Sequence, residues 1–111
     1  MDVSTTAIQE AKERRNSPEF QFVSCDIETY IPPERHYNVI AFKDSIYYVP
    51  FYRLKKVLGR YRGYLYDDGV FIVRIADGRR YENIVKLIES SFHVLENFRY
   101  PGSAIVFMVF K

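Results

Sequence analysis

At 111 residues the chain has room for one domain and one site, and 48% hydrophobic with 17% aromatic against 27% charged residues describes a folded protein, not a disordered one. The net charge of +2 divides into five bases and eight acids up to residue 50 and eleven bases and six acids beyond it, so attraction for an anionic partner belongs to the second half. A single cysteine, Cys25, excludes an intrachain disulfide, and neither a signal peptide nor an apolar run of the ~18 residues that cross a bilayer is found, so an intracellular protein is expected.

In chain order, residues 5–15 place Thr6 and Gln9 at capping-box spacing and Glu10 four residues before Arg14, which predicts a short helix. Its apolar stripe is thin, with only Val3, Ala7, Ile8 and Ala11, so residues 1–18 are read as an N-terminal helix or mobile arm and 19–111 as a single α+β domain. Phe20-Gln-Phe-Val-Ser-Cys-Asp-Ile27 is rich in aromatic and β-branched residues and predicts a strand, which Ile31-Pro-Pro-Glu-Arg-His36 breaks. Residues 37–43 and 45–51 are two further apolar runs, and their separation by Lys43 and Asp44 predicts a hairpin.

Residues 51–66 hold five cations and five aromatic rings in sixteen positions with no acid among them. Leu54, Val57, Leu58 and Tyr61 have the spacing of one buried helix face, which predicts a helix over 52–61 with Arg53, Lys56 and Arg60 along another side. Strands are expected over 63–66 and 69–75, joined by a turn at Asp67-Asp68-Gly69. Tyr81, Ile84, Val85, Ile88, Phe92 and Leu95 predict a long helix over 80–97 that Tyr100-Pro-Gly102 stops, and residues 103–110 read as a strand apolar on both sides.

These elements predict an α+β fold, a mainly antiparallel sheet of about five or six strands with two amphipathic helices on one face, in ferredoxin-like order from residue 45. An apolar strand needs cover on both sheet faces, so a homodimer is expected to shield the second one.

Three stretches suggest chemistry. Phe22-Val-Ser-Cys-Asp-Ile-Glu-Thr29 resembles the first motif of the proofreading exonuclease domain of family B DNA polymerases, which implies a metal held by Asp26 and Glu28. Tyr64-Leu-Tyr-Asp-Asp68 matches the third motif of that family by letters, but on a strand and turn instead of a helix, and the second motif is absent, so no metal, catalytic residue or cofactor is assigned. Arg62-Gly-Tyr-Leu-Tyr66 resembles the start of the RNP1 motif of RNA-recognition domains, which implies base stacking by Tyr64 and Tyr66.

His36 and His93 have no acid or cysteine at a recognised ligand spacing. In its short length, its Tyr- and Ile/Val-rich strands such as Ser45-Ile-Tyr-Tyr-Val49 and its lack of Trp, the chain resembles the small uncharacterised proteins of filamentous viruses of hyperthermophilic archaea, of the lipothrixvirus type. That resemblance implies a viral accessory protein in the host cytoplasm.

The resulting expectation is a non-enzymatic, homodimeric viral accessory protein that contacts DNA or RNA through Arg53, Lys55, Lys56, Arg60, Arg62 and Tyr64, with Arg79 and Arg80 at the start of the long helix adding phosphate contacts. The alternatives are a module that binds a host protein and, third, a metal-dependent nuclease.

Overall fold

Alternation along the strands decides which face of the sheet is core. Ile40 and Phe42, then Phe71, Val73 and Ile75, then Val106, Met108 and Phe110 recur at every second position, and all are buried. Val39, Ala41, Val70, Ile72, Phe107 and Val109 alternate with them on the opposite face, where Val39 is exposed and the others are half-buried. The computed structural model describes residues 2–4, 22–24, 26–33 and 36–111. The helix expected over 5–15, and Cys25, lie outside the described residues.

The elements run β1 (Asp2–Ser4), β2 (Phe22–Ser24), β3 (Tyr37–Lys43), a 3-10 turn (Ile46–Tyr48), α1 (Phe51–Arg62), β4 (Leu65–Ile75), α2 (Glu82–Ser91), β5 (Val94–Arg99) and β6 (Val106–Phe110). They form an α/β sheet of six strands in the order β2-β1-β3-β4-β6-β5. β1 is parallel to β2 and to β3, and β3 is parallel to β4, whereas β6 is antiparallel to both β4 and β5. The mainly antiparallel, ferredoxin-like arrangement is thereby corrected to a mixed sheet. The physical reason is the connection between β3 and β4, which contains a whole helix and so returns the chain in the same direction.

The expected strand over 45–51 is also corrected. Asp44 has φ 52, which turns the chain out of the sheet, and the next residues close a 3-10 turn before Pro50 caps α1. Ile46 and Val49 reach the core from that turn, so a short apolar run imitated a strand. The helix expected over 80–97 ends at Ser91. Phe92 is extended, and His93 exchanges backbone hydrogen bonds of 2.8 and 2.9 Å with Lys111 to begin the β5–β6 hairpin.

The expected turn at 67–69 is instead part of one continuous strand. Between the pairs Tyr37↔Leu65 and Val39↔Val70 the register shifts, so β4 bulges outward with Asp67 and Asp68 exposed. Gly69 lies on the inside of that bulge, where a Cβ would stand 2.9 Å from the Tyr37 carbonyl and 3.1 Å from those of Asn38 and Tyr66. Close backbone approach, not a reversing turn, is what requires glycine here.

Both helices lie against the buried face and touch each other. Leu54, Val57, Leu58 and Tyr61 of α1 and Ile84, Val85 and Ile88 of α2 are the buried residues, as their spacing predicts. The Tyr61 ring meets Phe42 edge-on at 5.3 Å, and Phe71 packs on Phe110 at 5.1 Å. Each fully buried large side chain contributes about 1.5–3 kcal/mol of transfer free energy. Among the described residues no helix is long and apolar enough to cross a membrane.

Candidate ligand crevice at the carboxyl ends of the strands

In the strand order, β1 has β2 on one side and β3 on the other, so the connection from β1 to β2 and the next one, from β2 to β3, run in opposite directions along the sheet. Open parallel sheets leave a crevice at such a reversal, outside the carboxyl ends of the strands, and ligands bind there. In this chain those ends are Ser4, Lys43 and, one strand further, Ile75.

Asp44, the residue that follows β3, is held from two directions. Its backbone N–H donates to the Arg74 carbonyl at 3.0 Å, and one carboxylate oxygen, Oδ2, accepts a hydrogen bond from the Arg74 guanidinium. The other oxygen, Oδ1, is buried and has no hydrogen-bond partner among the described residues. Asp44 is also the one non-glycine residue with positive φ among the described residues. Aspartate tolerates that conformation better than most side chains, but an orphaned buried acceptor still costs about 1–3 kcal/mol.

The 3-10 turn and the start of α2 bring a ring cluster to the same edge. Tyr47 and Tyr81 stack with centroids 4.5 Å apart and planes 8° from parallel, and Tyr48 leans on Tyr47 at 5.3 Å. Burial, and after it the negative charge of Asp44, raises the Tyr47 phenol above the ordinary tyrosine value of 10.0, which keeps its hydroxyl protonated and able to donate.

The residues that sequence patterning selected fall elsewhere, and several are engaged within the fold. Arg60 donates to the carbonyls of Tyr30, Ile27 and Glu28 at 2.8, 3.0 and 3.1 Å. The Tyr61 hydroxyl donates to the Ile27 carbonyl at 2.8 Å, and Arg53 pairs with Glu28 at 3.2 Å. Two cations of the α1 stripe thus fasten residues 26–30 to the helix, while Lys55, Lys56 and Arg62 are exposed.

Tyr64 is half-buried against the core, and the more exposed Tyr66 stacks on His36 at 5.0 Å. Arg79 and Arg80 are exposed and precede α2, and their backbone amides donate to Asp77 Oδ1 at 3.2 and 3.1 Å. Asp26 Oδ1 accepts the Glu28 N–H at 3.0 Å while the Glu28 carboxylate pairs with Arg53, and no group of three or more potential metal ligands occurs among the described residues. Patterning missed Asp44, Arg74, Tyr47 and Tyr81; the signal was a lone acid at the end of an apolar run, with its cationic partner thirty residues away.

No protein-family model matches the sequence, and no curated protein does. Solved structures do match. N-methyltransferase NodS from Bradyrhizobium japonicum, in complex with S-adenosyl-L-homocysteine, aligns with a TM-score of 0.63 at 14% identity over 81% of this chain and 53% of that one. An S-adenosylmethionine-dependent methyltransferase from Clostridium acetobutylicum gives 0.64 at 13% identity over 82% of this chain and 64% of that one. A TehB-like SAM-dependent methyltransferase from Corynebacterium glutamicum gives 0.61 at 16% identity over 82% and 55%.

The chain therefore spans between about half and two thirds of the length of these structures. At such identities the likeness is one of fold. It overturns the sequence-based reading of a non-enzymatic viral accessory protein that binds nucleic acid, together with the host-protein and nuclease alternatives, because the architecture is one shared with methyl-transferring enzymes.

Proposed function

We propose that the chain is a methyltransferase-type protein that binds S-adenosylmethionine in the crevice at the carboxyl ends of β1, β3 and β4. The single observation that carries this reading is the orphaned Oδ1 of Asp44 at the edge where this sheet order takes its ligands. The fold likeness supplies the cofactor class, and the donor chemistry of that cofactor suits the site: its ammonium, ribose hydroxyls and exocyclic amine all offer hydrogens to an unpartnered carboxylate oxygen.

When bound, the cofactor supplies an electrophilic methyl group on sulfur. The protein's part is to hold and orient: Arg74 fixes the Asp44 carboxylate, Asp44 accepts a hydrogen bond from an amine or hydroxyl, and Tyr47 donates one. Calorimetric titration with S-adenosylmethionine and S-adenosylhomocysteine, followed by a labelled-methyl transfer assay, tests the proposal. Saturable binding of both, weakened in Asp44→Ala, is the expected result, and failure of either compound to bind overturns it.

A further inference from the structure

Among the described residues β5 is the last strand of the sheet on its side, and from Leu95 to Arg99 every residue of it is exposed. An edge strand offers its outward N–H and C=O groups to any strand that can match them. Which groups point outward follows from the ladder with β6. The Tyr100 N–H donates to the Ile105 carbonyl at 3.4 Å, so Tyr100, and with it Phe98 and Glu96 at the two-residue period, turns its backbone toward β6. Asn97 and Arg99 turn theirs away from the sheet. The register shift between Val94 and Glu96 bounds this stretch on one side, and Pro101, which has no N–H to offer, bounds it on the other.

The side chains of the same stretch divide by face. Phe98 lies opposite Phe107 on the face away from the helices. Its ring meets Tyr100 edge-on at 5.0 Å, and Tyr100 meets Phe107 edge-on at 5.9 Å, yet Phe98 and Tyr100 remain 48% and 45% exposed. On the helix face the Asn97 amide donates to Glu89 of α2 at 3.1 Å, and Arg99 stands 3.9 Å from Glu82. An aromatic patch on one face, an acid-and-base pattern on the other and a bare backbone edge between them therefore coincide.

We infer that β5 pairs antiparallel with β5 of a second copy of this chain, about a two-fold axis through Phe98, so that one sheet runs across a dimer. The five residues from Glu96 to Tyr100, which fill the space between the register shift and Pro101, are symmetric about Phe98. In that register Asn97 of each copy opposes Arg99 of the other, and the outward N–H and C=O groups of both are exchanged in hydrogen-bonded pairs. Phe98 meets its own copy at a non-hydrogen-bonded position, where cross-strand side chains approach most closely, and the rings of both copies join into one cluster. On the helix face Arg99 of the second copy arrives beside Asn97, the residue that holds Glu89, so opposite charges meet at both ends of the seam. A register centred on Asn97 instead puts Glu96 opposite Phe98 and Arg99 opposite Leu95 within the irregular stretch. The pattern is thus complementary to itself, which is what an isologous contact requires and what selects a second copy as the occupant. The homodimer expected from the sequence acquires an edge-to-edge geometry instead of a face-on one.

Sedimentation equilibrium of the full chain over ~5 to ~500 µM, with amide hydrogen exchange at both ends of that range, tests the pairing. The mass is expected to double with concentration, and exchange to slow at Asn97 and Arg99 while Phe98 and Tyr100, already turned toward β6, keep their rates. Asn97→Pro removes an outward N–H that the monomer does not use and is expected to abolish the dimer. Asn97→Ala keeps that N–H and is expected to dimerise within about threefold of the parent, and Phe98→Glu, which sets like charges opposite each other, to weaken it roughly tenfold or more. Circular dichroism of each variant checks that the fold is retained, and the exchange pattern of the parent decides the matter without any variant. A chain that stays monomeric throughout, a dimer that survives Asn97→Pro, or a dimer in which the Asn97 and Arg99 amides exchange as fast as in the monomer overturns the inference and leaves the ring patch to a different partner.

Discussion

The cationic side of α1 and the crevice after β3 begin within ten residues of each other in sequence, yet they use charge in opposite ways. On α1 two of the five conspicuous charges are engaged within the fold: Arg60 donates to three carbonyls and Arg53 pairs with Glu28. In the crevice one inconspicuous carboxylate keeps an oxygen buried and, among the described residues, unpartnered. Composition draws attention to the first region and hydrogen-bond satisfaction to the second. Unsatisfied groups mark sites better because folding has no reason to leave them so, whereas a run of cations is often just the outer side of a helix.

The largest effect expected from this contrast belongs to Arg60. Arg60→Ala leaves three carbonyls of residues 26–30 without their shared donor and is predicted to cost about 2–3 kcal/mol, since hydrogen bonds from charged donors are the strong ones. Arg60→Lys recovers little of this because an ammonium lacks the planar fork. Tyr61→Phe loses one hydroxyl bond to the same segment and is expected to cost ~1 kcal/mol. The double substitution of Lys55 and Lys56 by Gln, on the exposed side of the same helix, is expected to stay within about 0.5 kcal/mol. Urea melts of the four variants check the ordering, and an Arg60→Ala protein as stable as the parent would show that the helix does not hold that segment.

How far the sequence itself revealed these regions follows from the range of the interactions. The buried stripe of α1, Leu54, Val57, Leu58 and Tyr61, and that of α2, Ile84, Val85 and Ile88, were legible because helical period is a local property. So was the apolar β6. Strand direction was not legible, because whether β3 and β4 run parallel depends on residues 45–51 turning out of the sheet at Asp44. Gly69 carried a true signal with the wrong meaning: glycine marks close approach as readily as it marks a turn. The site was hidden for the same reason as the topology. The Asp44–Arg74 pair joins residues thirty positions apart, and only the parallel alignment of β3 and β4 brings them together.

Asp44→Asn is the next largest test. It removes a charge from an ion pair whose members are 26% and 30% exposed, a pairing worth at most ~1 kcal/mol, while it eases the burden of a buried, half-satisfied carboxylate. The two changes oppose each other, so stability is expected to move by less than ~1 kcal/mol in either direction, and the melting curve should nearly overlay that of the parent. A loss of several kcal/mol would place Asp44 with Arg60, as a structural fastener, and erase the distinction between the two regions.

The smallest effect concerns Tyr47, whose folded-state phenol titrates above the ordinary value of 10.0 through burial first and the charge of Asp44 second. A raised folded value means that the unfolded chain loses this proton at lower pH than the native one. The associated stability is therefore fully present below pH ~10, where tyrosine in the unfolded chain is still protonated, and is lost as pH rises through the higher folded value. Tyr47→Phe removes that dependence. In melts taken from pH 8 to 11 the parent is expected to lose slightly more stability than the variant, and only at the alkaline end of the series. Identical slopes for the two proteins would mean that the hydroxyl is as solvated as in the unfolded chain, and so that it lies outside the shared surroundings of Asp44 on which its role in the crevice depends.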